Sequence, residues 1–244
     1  MKKNILIVLC ALLALCLCDC VVVNFTDAGA VRGKGAPEKY DINVGEYNKI
    51  KVEGNCEIQY YAAPSNTVIL EVQPNLREYF IVEVKNSELI VRTTKRISHN
   101  SGKTPVLTVS TPALNSLTIT GICTFKANEK IKTGVFNLEL SGAGSGKAEL
   151  DVNSLKASIS GVGNFELYGK ADNAEIKLSG TGELNALSLQ VREASVDLSG
   201  AGTIRIYCSE KLHINASGAG TVEYRGSPIL NLNKSGSASI KKID

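Results

Sequence analysis

Apolar and polar residues alternate along most of the chain after residue 130, a pattern typical of β-strands with one buried face. The alternation is interrupted by a short motif, Ser-Gly-x-Gly, and then resumes, as at Phe165 and Leu167. Glycine in such a turn permits backbone conformations and close approaches that a side chain would obstruct. The pattern therefore predicts strands separated by tight glycine turns. The alternating apolar residues before these turns are Phe136, Leu138, Leu140, Leu155, Ala157, Ile159, Ala174, Ile176, Leu178, Ala194, Val196, Leu198, Leu212, Ile214 and Ala216.

The Ser-Gly-x-Gly motif recurs at a nearly constant interval. Successive serines are separated by 19, 19, 20, 18 and 18 residues, and weaker copies precede them around Gly54 and Gly121. A fixed repeat of this length is typical of a solenoid. Because the flanks alternate with period two, each repeat predicts one coil, 18–20 residues long, of an all-β, single-chain parallel β-helix. The repeating serines are Ser141, Ser160, Ser179, Ser199, Ser217 and Ser235.

The outward-facing positions indicate how successive coils stack. If the coils pair in register, Lys177 lies beside Asp197 and Lys156 beside Glu175, and such opposite charges stabilise a sheet by a few tenths of a kcal/mol per pair. The two predicted columns are Glu139, Ser158, Lys177, Asp197, Asn215, Asn233 and Asn137, Lys156, Glu175, Ser195, His213, Asn231.

Residues 41–120 also alternate, but without the regular repeat. Asn86-Ser87 predicts a hairpin turn, and Ile97–Thr104 reads as a polar loop. Terminal units of solenoids are atypical because they cover the exposed end of the core. We therefore expect one domain over residues 41–244, with irregular coils at 41–120 and regular coils at 121–244. The predicted irregular strands are Tyr47–Val52, Thr67–Val72, Phe80–Val84, Glu88–Arg92, Val106–Ser110 and Ser116–Thr120.

The N-terminus carries the features of an export signal. Lys2 and Lys3 precede an apolar run, Ile5–Leu17, which is too short to span a membrane and predicts a signal peptide over residues 1–20. A cysteine just after such a run is the lipid-modified residue of bacterial lipoproteins, and Cys20 is favoured over Cys16 by position. The usual small residues before the cysteine are missing, so secretion without an anchor stays open. Residues 21–40 are rich in glycine, alanine and charge and predict a tether.

Composition narrows the class of protein. The 244 residues are 43% hydrophobic and 21% charged, which excludes a disordered chain. The 27 Lys and Arg against 24 Asp and Glu give a net charge of +3, too balanced to predict nucleic-acid binding. Aromatic residues make up 5% and tryptophan is missing, which fits a narrow interior and weakens a dedicated carbohydrate-binding interpretation.

Polysaccharide lyases and glycosidases also use parallel β-helices, so the arrangement of the carboxylates decides whether this chain resembles such an enzyme. Their chemistry requires two carboxylates, or a basic residue beside a calcium site, converging in one groove. Asp151, Asp172 and Asp197 fall at different positions of their coils, which favours a solvated, charge-balanced face. Two carboxylates within about 10 Å in one groove would favour the enzyme. The serines have no repeated histidine partner, since only His99 and His213 are present. We predict no catalytic residue, cofactor or metal ligand.

Cys56 and Cys123 each follow the glycine of an upstream copy by two residues. If the segment between them forms one expanded coil, the two sulfurs lie at a distance compatible with a disulfide. An exported protein permits this bond. Two buried thiols are the favoured interpretation, with the disulfide as the alternative.

Tyr168, Leu187 and Tyr207 each lie eight residues after their serines, in consecutive coils. An exposed aromatic stripe at Tyr168 and Tyr207 would stack on sugar rings. A packing ladder at a corner of the coil is the favoured interpretation, with the ligand stripe as the alternative.

The signal peptide, the opening segment Ile50–Ile58 with its glycine turn, and the Ser-Gly-x-Gly repeats together resemble the head GIN domain of auto-transporter adhesins over residues 40–240. The resemblance implies a right-handed parallel β-helix, exported and often lipid-anchored in Gram-negative bacteria, without catalytic residues. The expected function is that of a non-enzymatic adhesin or scaffold at the outer membrane, the cell surface or in the periplasm. Its expected partner is a protein or a glycan, and it meets the membrane only through a lipid anchor. A carbohydrate-active enzyme and an envelope-stress or regulatory accessory protein remain alternatives.

Overall fold

The computed structural model describes residues 29–98 and 103–244. Residues Val31–Asp244 form one compact unit, and 68% of the structure is strand against 3% helix. The predicted signal peptide, including Cys16 and Cys20, lies outside the described residues. Within the described residues, no helix is long and apolar enough to cross a membrane.

Residues 116–244, a little over half of the chain, form a parallel β-solenoid, and the whole structure has about seven turns. Strands β13 (Ala143–Ile159), β14 (Val162–Leu178) and β15 (Thr181–Leu198) each run through most of one coil. β14 pairs in parallel with both β13 and β15 along nearly its whole length. The strands are β10 (Ser116–Ile119), β11 (Ile122–Ala127), β12 (Ile131–Leu140), β13 (Ala143–Ile159), β14 (Val162–Leu178), β15 (Thr181–Leu198), β16 (Thr203–Ala216), β17 (Thr221–Arg225), β18 (Ile229–Lys234) and β19 (Ser239–Lys242).

The parallel β-helix and the register predicted from the serine repeat are confirmed. Both outward columns run without a slip from β12 to β18. Lys177 lies opposite Asp197 as predicted, but its ammonium forms an ion pair with Glu175 on the same strand, at 2.7 Å. Asn215 donates instead to Asp197, at 2.8 Å, and Asn233 donates to Asn215, at 2.9 Å. The column is thus held partly by a ladder of amide hydrogen bonds.

The corner glycines are required by close approach between coils. A Cβ added to Gly142 would overlap the carbonyl oxygen of Gly121, and one added to Gly161 would overlap that of Gly142. The same contact recurs up the stack, because each corner lies directly on the one before it. Inside the solenoid, the strands that precede these corners bury all of their predicted apolar residues.

Residues 31–111 extend this stack with a mixture of parallel and antiparallel strands. β3 (Lys49–Val52) lies between β10 and β7 (Glu88–Thr93), and β4 (Asn55–Ala62) lies between β11 and β9 (Val106–Thr111), all in parallel. The antiparallel strands β2 (Glu38–Asp41), β5 (Thr67–Val72) and β6 (Phe80–Lys85) then complete the sheets. The elements are β1 (Val31–Arg32), β2 (Glu38–Asp41), β3 (Lys49–Val52), β4 (Asn55–Ala62), β5 (Thr67–Val72), a 3₁₀ helix (Pro74–Tyr79), β6 (Phe80–Lys85), β7 (Glu88–Thr93), β8 (Ile97–Ser98) and β9 (Val106–Thr111).

The six strands predicted in the irregular region are all present, with ends within two residues of those expected. Asn86 and Ser87 have φ angles of 51° and 59°, which is the left-handed conformation of a tight hairpin turn. Two differences come from long-range pairing. Val31–Arg32 and Glu38–Asp41, within or next to the expected tether, are strands paired with β8 and β5. Ile97–Ser98, in the expected loop, forms β8.

Candidate functional site

The two cysteines of the upstream repeats lie side by side. Cys56 on β4 and Cys123 on β11 are paired across adjacent strands, and each is at most 2% exposed. A hydrogen bond with the Cys123 thiol, together with burial, raises the pKa of Cys56 well above its usual value. Both cysteines are free thiols in this structure. The structure therefore brings the pair together, and the disulfide stays a prediction for the oxidised protein.

The two tyrosines of the expected aromatic stripe lie in different columns. Tyr168 lies beside Ser188, whereas Tyr207 lies beside Gln190. Equal spacing from the serines does not produce a stripe here, because β15 has three residues, 187–189, between positions whose partners in β16 are consecutive. The Lys147 ammonium lies over the Tyr168 ring, 5.4 Å from its centroid. Tyr207 instead lines a groove.

This groove has a volume of about 380 Å³ and crosses four successive coils. Each coil contributes two side chains that are two positions apart on its strand, on either side of a lining residue such as Val152, Ala171 or Val191. We call it the four-coil groove. Its paired side chains are Asp151 and Asn153, Lys170 and Asp172, Gln190 and Arg192, and Tyr207 and Ser209.

The position of the groove coincides with a change in coil length. The serine steps are 19 residues up to Ser179 and then become 20 and 18. The pairing of β15 with β16 slips at the corresponding corner, and the slip sets Tyr207 next to Gln190. The departure from the 19-residue step is the signal in the sequence that could have pointed to this place.

Ion pairs hold the charged side chains of the four-coil groove. Lys170 Nζ lies 3.2 Å from Asp151 Oδ1. The Arg192 guanidinium makes two hydrogen bonds to Glu210, at 2.8 and 3.3 Å, and approaches Asp172 to 3.9 Å. The pairing raises the pKa of Arg192 and lowers the pKa of Glu210. Each cation in the groove therefore already faces a carboxylate.

Three other groove side chains have spare hydrogen-bonding capacity. Asn153, Gln190 and Tyr207 make no side-chain hydrogen bond to another residue within the described ranges. The two amides and the phenol each offer a donor and an acceptor. Ser209 donates to the Val191 carbonyl at 3.3 Å, which fixes one wall of the groove. The arrangement suits a ligand that is rich in hydroxyl groups.

The four-coil groove also brings two carboxylates onto one surface. The register places Asp172 next to the position of Asn153, so Asp172 is a diagonal neighbour of Asp151 on the adjacent coil. The sequence columns missed this convergence, because Asp151 and Asp172 are two positions apart on their strands. Their side chains are 33% and 54% exposed, and each has a cation close by. A general acid needs an environment that keeps its proton in place, and exposed, ion-paired carboxylates lack one.

The other candidate groups do not form a site. In residues 29–98 and 103–244, no three His, Cys, Asp or Glu side chains are grouped so that they could hold a metal ion. The repeating serines are exposed at the corners, where Ser160 donates to the Leu140 carbonyl at 3.4 Å. This contact gives Ser160 a structural role.

Comparisons with known proteins agree with this architecture. The model of a family described as "putative auto-transporter adhesin, head GIN domain" matches residues 46–228. Among curated proteins, none matches the chain.

Several solved structures share the fold. A crystal structure described as a putative adhesin from Bacteroides fragilis NCTC 9343 superposes with a TM-score of 0.83 at 24% identity, over 88% of this chain and all of the other. A putative adhesin from Parabacteroides merdae ATCC 43184 gives 0.70 at 20% identity, over 88% of this chain and all of the other. A putative lipid binding protein from Parabacteroides distasonis ATCC 8503 gives 0.67 at 23% identity, with the same coverage of both chains.

Proposed function

This chain belongs to the head GIN domain family of putative auto-transporter adhesins, and on that premise we propose that it is a non-enzymatic, exported module that binds a glycan in the four-coil groove. The observation that carries the proposal is the position of Tyr207 in that groove. Its half-buried ring lies beside Gln190, whose amide has no partner among the described residues. Tyrosine suits this role because it combines an apolar ring with a polar edge.

The polar groups of the four-coil groove support a glycan as the ligand. Sugar hydroxyls both donate and accept hydrogen bonds, and the groove supplies amides and a phenol that do the same, together with carboxylates that accept. Binding pockets combine an apolar surface with a few convergent polar groups, which orient the ligand. The Tyr207 ring is the apolar surface of this groove, because the residues between the two rows of polar side chains, Val152, Ala171 and Val191, are at most 4% exposed.

Export and anchoring form a second part of the proposal. The basic start at Lys2 and Lys3 and the apolar run Ile5–Leu17 support cleavage of a signal peptide, and Cys20 or Cys16 would then carry the lipid. In cells fed a labelled fatty acid, we expect the chain to take up the label and to enter the detergent phase. Cys20→Ala is expected to abolish both results if Cys20 is the acylated residue, with Cys16→Ala as the matched variant. A wild-type chain that stays aqueous and unlabelled would contradict the anchor.

The function is tested by applying the exported chain to a glycan array. We expect binding that Tyr207→Ala reduces at least tenfold. Tyr168→Ala is the matched control, because Tyr168 is also half-buried but lies in another column. Binding that survives Tyr207→Ala would move the site away from the groove. If no glycan on the array is bound, a scaffold or regulatory role is favoured instead.

Asp151 and Asp172 support a second candidate, a glycoside hydrolase, because they line the same groove. Such an enzyme needs two carboxylates about 5–10 Å apart. We would then expect new reducing ends when an array-positive polysaccharide is incubated with the chain, and their loss in Asp151→Asn and Asp172→Asn. A binding module leaves the polysaccharide intact.

A further inference from the structure

The lining of the four-coil groove repeats along the solenoid axis. One row contains Asp151, Lys170, Gln190 and Tyr207, one residue from each coil, and these are consecutive partners in the strand register. Parallel strands are about 4.8 Å apart, so the row extends over about 14 Å. The step from coil to coil is close to the length of one pyranose unit in an extended β-1,4-linked chain. A groove with this period accepts a chain of sugars along its length.

The charges in the groove disfavour an acidic sugar. Lys170 is paired with Asp151, and Arg192 is held by two hydrogen bonds from its guanidinium to Glu210. A uronate or sulfated sugar would therefore have to displace a carboxylate that is already in place. The free hydrogen-bonding groups, at Asn153, Gln190 and Tyr207, are uncharged and suit neutral hydroxyls.

The two ends of the groove differ in chemistry. Tyr207 offers a ring at one end, on β16, next to the Gln190 amide on β15. Asn153 lies at the other end, on β13, next to the position of Asp172. A short ligand gains most from the tyrosine end, and only a longer one reaches Asn153.

Resting on the proposed function, we infer that the ligand is a neutral, extended oligosaccharide that lies along the solenoid axis, with one sugar unit over each of the four coils. The groove then has four subsites, ordered from Tyr207 to Asn153.

Calorimetry with oligosaccharides of two to six units tests this inference. The probes are the neutral β-1,4-linked gluco-, manno-, xylo- and N-acetylglucosamine series, with oligogalacturonates as the acidic comparison. For at least one neutral series, we expect Kd to fall about threefold to tenfold for each unit added from two to four. From four to six units, the change should be less than about twofold. Oligogalacturonates should bind more weakly than the neutral series at every length.

Asn153→Ala distinguishes the ends of the groove. It should weaken binding of the four-unit ligand about threefold to tenfold and leave that of the two-unit ligand unchanged, whereas Tyr207→Ala should weaken both. Circular dichroism of both variants should match that of the unchanged chain, because these side chains lie at the surface.

Three results would overturn the inference. Equal affinity at every length would indicate a single-sugar site, and tighter binding of oligogalacturonates would contradict neutrality. Failure of all four neutral series, alongside Tyr207-dependent binding of branched or terminal glycans on the array, would remove the axial mode and leave the proposed function intact. A silent array would remove the proposed function and the inference with it.

Discussion

The regular coils (residues 121–244) and the irregular region (residues 41–120) bury their apolar residues in different ways. In the regular coils, each strand lies in parallel on the equivalent strand of the coil before, and the corner glycines let the backbones touch. In the irregular region, antiparallel strands β2, β5 and β6 join the stack. Long-range side-chain contacts hold this region: the buried Tyr47 hydroxyl lies 2.9 and 2.8 Å from the Thr67 and Ser110 carbonyl oxygens.

The two regions obtain their defined structure in different ways. A repeat needs only one local solution, a strand and a glycine corner, because each coil is a template for the next. The irregular region has no such template, and its elements depend on individual partners. The first should be most sensitive to changes at the corners, and the second to changes in particular buried polar groups.

The largest effect should come from a corner of the regular coils. Gly161→Ala places a Cβ against the Gly142 carbonyl and the backbone of Ser141, so we expect the free energy of unfolding to fall by more than about 3 kcal/mol. Urea denaturation measures the change. Gly134→Ala is the matched control, because a Cβ there would meet no other atom within 4 Å and should cost little. Equal costs at the two positions would contradict the template argument.

A disulfide at the junction between the two regions should have the next largest effect on stability. Cys56 on β4 and Cys123 on β11 lie where the irregular region meets the first regular coil. In the oxidising envelope, a disulfide exchange partner would take two electrons as the two thiols lose their protons and form the bond. The gain is typically about 2–4 kcal/mol. We expect one disulfide by mass spectrometry after alkylation, and a lower Tm after reduction.

Cys208→Ala provides the control for this bond, because Cys208 is buried elsewhere, on β16. That variant should keep the response to reduction, and Cys56→Ala should lose it. Recovery of Cys56 and Cys123 as alkylated thiols from the exported chain would refute the disulfide.

Alkaline pH should destabilise the irregular region by less than the two preceding changes affect stability. Burial raises the pKa of Tyr60 to about 12, whereas an unfolded tyrosine titrates near pH 10. The fold favours the neutral phenol, so its contribution is fully present below pH 10 and is lost as pH rises from 10 through 12. We expect Tyr60 to contribute a loss of about 2 kcal/mol across this window in urea denaturation. Tyr60→Phe should remove that contribution.

Tyr61→Phe is the matched control for that experiment, because the neighbouring Tyr61 ring is exposed. Burial also raises the pKa of Tyr47, so the alkaline loss that Tyr47 causes should persist in Tyr60→Phe. An identical pH dependence in Tyr60→Phe and the unchanged chain would argue against this origin.

A surface ladder of the regular coils should show the smallest effect. Arg205 forms ion pairs with Glu183 and Glu223, one on each neighbouring coil. All three side chains reach solvent, so Arg205→Ala should cost only about 0.5 kcal/mol in urea denaturation. The cost should shrink further in 1 M salt, and a cost that salt leaves unchanged would indicate lost packing instead.

Much of the fold could be predicted because the signal is local and repeated. Six copies of one phrase define the strands, the corners and the register, and Asn86-Ser87 defines a hairpin in the irregular region. β1, β2 and β8 could not be predicted in this way. Each is short, and its partner is distant in sequence, as in the pairing of Val31 with Ile97.

The candidate site was only partly predictable. Tyr207 was identified from its spacing, but the expected stripe with Tyr168 assumed coils of equal shape. The four-coil groove depends on a three-residue slip at one corner, and its carboxylates come from two columns rather than one. The serine steps of 20 and 18 show that these coils differ in length, but they do not show at which corner residues are gained or lost.

By itself, the sequence determined the parallel solenoid, the face of each strand that is buried and the columns that stack, since all three follow from alternation and a constant step. Only the tertiary structure decided which side chains share a surface where the step changes. The separation of the two tyrosines and the rows of the four-coil groove are consequences of that geometry. The physical reason is that backbone hydrogen bonds between coils set the register one strand at a time, so a corner of different length moves every outward residue beside it.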